Sequence, residues 1–181
     1  MRVRKVWFFY TLAKLTYMLL ALFVYTRFTQ LGDTYRYLGG RTYGSESWWY
    51  SSTHMMDFLA HSFSKVLGPT LANVPFVLLA VYGVYYAVER AGFTHSQKTK
   101  VLLFLCLPSF SIWSSIASKE AIGVFFMGVI LGFLFKLMNK EKITCKPLVF
   151  LCFYLCVIFK PQYMIGLFSI FTYIMLTTSF F

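Results

Sequence analysis

The sequence predicts an all-α, polytopic membrane protein with about six transmembrane helices, the fifth of them short, and an amphipathic helix lying in the outer interface. Three observations carry that expectation. Of 181 residues, 59% are hydrophobic and only 13% charged, where soluble domains hold about half and a quarter. Mean hydropathy is +0.66 and 21% of the residues are aromatic. The apolar residues gather in long runs punctuated by Lys and Arg. A globular domain of this length buries about two thirds of its surface, too little to hide so much apolar side chain. A soluble enzyme, a disordered tail and a disulfide-stapled secreted domain are thereby excluded, and residues 1–181 read as a single transmembrane domain.

A helix that crosses about 30 Å of hydrocarbon needs around 20 residues. The first run, 6–28, holds one charge before Arg27, at Lys14. Met1-Arg2-Val3-Arg4-Lys5 precedes it as in a signal peptide. The run is too long for one and has no small-x-small cleavage site, so it reads as an uncleaved span. The long outer loop 29–69 follows, and loops of that length are uncommon unless functional. Its second half, about 54–67, has helical period. Met55, Met56, Phe58, Leu59, Ala60, Phe63, Val66 and Leu67 share one broad face, and His54, Asp57, His61, Ser64 and Lys65 the opposite, wet one. Trp48, Trp49 and Tyr50 anchor its entry into the interface. Further spans are expected over 71–88, 101–115, 121–138, 148–159 and 163–181. The fifth would cover only about 18 Å. Lys160-Pro161 leaves open whether the last two are one kinked helix.

Orientation follows from where the cations fall. With the N-terminus inside, Arg2, Arg4, Lys5, Arg90, Lys98, Lys100, Lys136, Lys140, Lys142 and Lys146 are cytoplasmic. Arg27, Arg36, Arg41, Lys65, Lys119 and Lys160 are outside. The bias puts the N-terminus in the cytoplasm and the 29–69 loop on the outer face. It also makes the net charge of +11 a topology signal, not a nucleic-acid footprint. Cys106, Cys145, Cys152 and Cys156 lie in or beside apolar runs with no C-x-x-C pair, and packing is their expected role.

Candidate chemistry gathers on the outer side. Asp33, between Gly32 and the Gly39-Gly40 pair, could accept a proton from a hydroxyl or ligate a divalent cation. It could equally pair with Arg36 or Arg41. Ser118 is a natural N-cap, and Glu120 suits the positive end of the helix that follows. Lys119 opposes that dipole, which makes sense if an anion such as a phosphate binds there; the alternative is a lysine reaching to headgroups. Lys160, before Pro161-Gln162-Tyr163, falls on the same side. His54, Asp57 and His61 share one helical face and form a weak metal alternative.

Three stretches resemble the GT-C class of membrane glycosyltransferases, and within it the bacterial proteins that build or polymerise surface polysaccharides from polyprenyl-linked sugars. They are Leu31-Gly32-Asp33-Thr34-Tyr35-Arg36-Tyr37-Leu38, then Leu107-Pro108-Ser109-Phe110-Ser111-Ile112-Trp113-Ser114-Ser115 with Lys119-Glu120, then Phe159-Lys160-Pro161-Gln162-Tyr163. Glu120 stands where such proteins have Asp, and Lys160 and Gln162 where they have Arg and His. The resemblance implies a bacterial inner-membrane protein in which Asp33 is the catalytic or metal-binding carboxylate. Arg36, Lys119, Glu120, Lys160 and Tyr163 would contact the substrate, with the two lysines on the lipid-linked phosphate. It also implies partners: the bilayer, a polyprenyl-linked sugar, and a second membrane chain supplying spans, since the likeness is to an N-terminal half. The competing expectation is a non-catalytic protein that binds and modulates a full-length polymerase. A small transporter ranks last, because Lys14 alone lies at mid-span.

Overall fold

A computed structural model describes residues 2–29, 31–39, 51–139, 141 and 146–179. Among them are nine α-helices and one 3-10 turn, with no strand. Helix α1 (Arg2–Phe23) runs into the turn Tyr25–Arg27, and Gly32, at φ 53°, leads into the short α2 (Thr34–Gly39). Helix α3 (Ser52–Leu71) starts at Ser51, whose hydroxyl accepts the His54 N–H at 3.5 Å. Gly68, at φ 79° and ψ 163°, and Pro69 break its last turn. The chain then bends by 98° into α4 (Val74–Arg90). Helix α5 (His95–Phe104) opens on a capping box between Thr94 and Gln97. The remaining helices are α6 (Pro108–Trp113), α7 (Lys119–Met138), α8 (Lys146–Phe159) and α9 (Tyr163–Ser179).

Among the described residues, two stretches are long and apolar enough to cross a membrane, Lys5–Arg27 and Lys119–Met138; the bent pair α3–α4 makes a third if it is one broken span. That is fewer than the six expected from apolar runs. The run 101–115 is two short helices instead of one span. Pro108 cannot donate to α5 and holds the residue before it out of helical geometry. Helices α8 and α9 have 14 and 17 residues, with a turn between them and not one kinked helix.

The centre of the molecule is α4 against α7. A Cβ on Gly83 would lie 2.6 Å from Phe125 Cα, one on Gly128 would strike the Gly83 backbone, and one on Gly132 the Tyr86 ring. The two backbones touch because three side chains are absent. Around this pair, α1 packs on α4 and α6, and α8 packs on α7. Polar groups gather at opposite ends. At one, Glu89 accepts from Trp7 Nε1 at 2.8 Å and from Lys98 at 2.6 Å, and Arg90 pairs with Glu141 at 3.5 Å. The other is built from α2, α3, the entry to α7 and the α8–α9 turn.

Helix α3 corrects the expected wet face. Asp57 is only 1% exposed, buried beside Met55, Met56 and Ala60, while Phe58 and Val66 are 65% and 81% exposed. Periodicity separates the two faces of a helix without saying which one meets the protein. Here the Asp57 side packs on α2, and part of the apolar side faces outward. Trp48, Trp49, Tyr50, Arg41 and Glu46 lie outside the described residues.

Candidate functional site: a charged cluster at the start of α7

Ser118 caps α7 as its sequence position predicts. Its hydroxyl accepts the Ala121 N–H at 3.1 Å and donates to the Trp113 carbonyl at 2.6 Å. Asn73, fully buried at the α3–α4 corner, fixes the preceding loop by accepting the Ala117 N–H at 2.8 Å. Its amide donates to the carbonyls of Pro69 at 3.0 Å and Thr70 at 3.1 Å. One side chain thus ties the bend to the α7 entry, and Lys119 reaches back to α3. Lys119 Nζ donates to Thr53 Oγ1 at 2.7 Å. Among the described residues it makes no ion pair with a carboxylate. It nevertheless lies in the combined field of Asp33, Arg36, Lys160 and Glu120.

Lys160 arrives from the α8–α9 turn and pairs with Glu120. Its stem and the Tyr163 ring lie on Gly123. A Cβ there would meet Lys160 Cγ at 2.9 Å and Tyr163 Cε2 at 3.1 Å. Asp33 leaves the Gly32 turn with its side chain 55% exposed. Arg36 Nη1 approaches Asp33 Oδ1 at 3.3 Å, and the Tyr37 hydroxyl donates to Oδ2 at 3.2 Å. Burial first, then the Asp33 charge, raises the Tyr37 phenol from its ordinary value, so it stays a donor. The predicted residues Asp33, Arg36, Lys119, Glu120, Lys160 and Tyr163 therefore converge at one end of the molecule, as three separated stretches of sequence suggested.

Asp57, expected on the wet face of α3 as a weak metal ligand, joins them instead. Arg36 Nε stands 3.9 Å from its Oδ1, beyond hydrogen-bond reach. Both Asp57 oxygens, and Arg36 Nε and Nη2, are buried with no hydrogen-bond partner. Burial raises the Asp57 carboxyl, opposed by Arg36 and His54. The weak metal alternative does not assemble: His61 Nδ1 lies 3.3 Å from the Leu38 carbonyl, and the described residues hold no group of three His, Cys, Asp or Glu placed around an ion.

No family model, curated protein or solved structure matches this chain. Function is accordingly read from the side chains. The α7 N-terminus with Lys119 favours an anion, since the positive end of the helix dipole and a cation share one spot. Asp33, with its side chain 55% exposed, is the most accessible of the carboxylates that contribute to the field at Lys119.

Sequence reasoning missed Lys14, Asn73 and Thr53. Lys14 is 1% exposed, donates to Ser114 at 2.6 Å and Ser111 at 3.2 Å, and sits 4.4 Å from the centre of the Phe110 ring. Two serines of the 109–115 stretch therefore serve a buried cation. A lone lysine in the first span was the one signal for it. Nothing in sequence distinguished Asn73 or Thr53 from other polar turn residues.

Proposed function

We propose that the chain is a membrane glycosyltransferase-like protein acting at this cluster on a sugar carried by a polyprenyl phosphate, in surface polysaccharide synthesis at the outer face of a bacterial inner membrane. The single observation that supports the reading best is Lys119: a cation at the N-terminus of a 20-residue helix, held by a hydroxyl and unpaired with any described carboxylate. A phosphate at that point gains the lysine and the helix N–H groups together. Lys160, paired with Glu120, adds to the charge that stabilises a phosphate leaving group. Asp33, open to its surroundings, accepts the proton of the attacking hydroxyl. Tyr163 starts α9, whose Met164, Leu167 and Phe168 line an apolar groove of about 330 Å³ against Ile130 and Phe133 of α7. An isoprenoid chain suits that lining.

In the cell that makes this protein, Asp33→Asn and Lys119→Gln are expected to lower sugar transfer by about 100-fold or more at unchanged protein level. Surface polysaccharide of unaltered length and composition in both variants contradicts the reading. A non-catalytic modulator of a full-length polymerase is favoured by one feature: Asp33 and Glu120 already have cationic partners. That role tolerates both substitutions and brings a larger membrane protein through purification.

A further inference from the structure

Arg36 spans the cluster from its open edge to its interior. Its Nη1 faces Asp33, whose side chain is 55% exposed, and its Nε faces Asp57, at 1%. A carboxylate buried to that degree normally gathers donors, since each unmet oxygen is costly. Asp57 has none among the described residues, and the guanidinium beside it leaves Nε and Nη2 unmet as well. Acceptors and donors thus stand together, 3.9 Å apart at their nearest, too far to satisfy each other. The charges of the pair decide which chemical group suits it. A phosphate oxygen would be repelled by Asp57 and an ammonium by Arg36. A hydroxyl donates one bond and accepts another, so it meets both sides while carrying no charge. Lys119 contributes to the electrostatic field at Asp57.

We propose that Asp57 and Arg36 form a hydroxyl-binding subsite for the sugar ring of a neutral hexose or N-acetylhexosamine. This rests on the lipid-linked sugar reading above and deepens it: the phosphate goes to Lys119, and the ring hydroxyls go to the buried pair between α2 and α3. Asp33 at the open edge then remains for the incoming hydroxyl.

The test uses the full chain in lipid nanodiscs and a panel of neutral methyl glycosides of hexoses and N-acetylhexosamines, with binding followed by saturation-transfer NMR. At least one glycoside is expected to bind wild-type protein saturably. Asp57→Asn, which turns one acceptor into a donor facing Arg36, weakens that binding by about tenfold or more. Glu89→Gln, at the opposite end of the molecule, leaves it within about twofold. Where Asp57→Asn fails to reach a folded state by thermal unfolding, Arg36→Lys, which keeps the charge and removes the fork, carries the same expectation. Absence of any glycoside binding to wild type overturns the subsite, as does wild-type affinity in the folded variant. Polyprenyl phosphate titrated in parallel separates the two claims. Binding of that lipid without glycoside binding sinks only the subsite, and glycoside binding without lipid binding sinks only the phosphate site.

Discussion

Lys14 carries its ammonium into the interior between α1 and α6, where two serine hydroxyls and the face of Phe110 stand in for water. Ser114 makes the shorter bond and donates its own proton to the Phe110 carbonyl at 2.6 Å. Removing that hydroxyl strips a partner from a buried charge, so Ser114→Ala is expected to destabilise the protein by about 1–3 kcal/mol. In a Lys14→Leu background the same substitution costs less, because the charge that needed it is gone; a double-mutant cycle by thermal unfolding reads the difference. Equal costs in both backgrounds contradict the clamp. At this scale the sequence was partly legible. Asp33, Lys119 and Lys160 were marked by their positions beside apolar runs, and they lie within one electrostatic cluster. Asp57 looked like one polar residue on a wet face, and its burial depends on α2 folding over α3, which no local pattern announces.

Helices α4 and α7 meet where Gly83, Gly128 and Gly132 leave no side chain between them. A methyl group at Gly128 would have to displace the Gly83 backbone, so Gly128→Ala is expected to cost about 1–3 kcal/mol and lower Tm. At Gly166, in α9, an added methyl group would have no neighbouring atom within 4 Å. There the same change is neutral or stabilises by up to about 1 kcal/mol through helix propensity. Similar losses at both positions would contradict the close crossing. The helices themselves followed from hydrophobic runs, since nearly every expected span coincides with helical chain. Their lengths did not. Pro108 divides one run, and Gly68 with Pro69 ends another; a composition window averages across such breaks while the backbone cannot. The spacing of Gly128 and Gly132, one turn apart on one face, was a readable sign of close packing.

Across the whole molecule the carboxylates separate. Glu89 and Glu141 pair with Lys98 and Arg90 at one end, and Asp33, Asp57 and Glu120 meet Arg36, Lys119 and Lys160 at the other. Between these ends lie the apolar stretches able to cross a bilayer. This segregation was legible from the alternation of Lys and Arg along the chain, which records topology whatever the fold. At the second end Lys119 stands on the first turn of α7, is held by Thr53 and has three described carboxylates in its surroundings, which makes that end the candidate site. The most direct measurement is titration of polyprenyl monophosphate into the full chain in nanodiscs, followed by native mass spectrometry. Saturable binding is predicted for wild-type protein and for Glu89→Gln at the opposite end, with a loss of about tenfold or more in Lys119→Gln. Equal binding by all three proteins, or none by the wild type, would contradict a phosphate site at the start of α7.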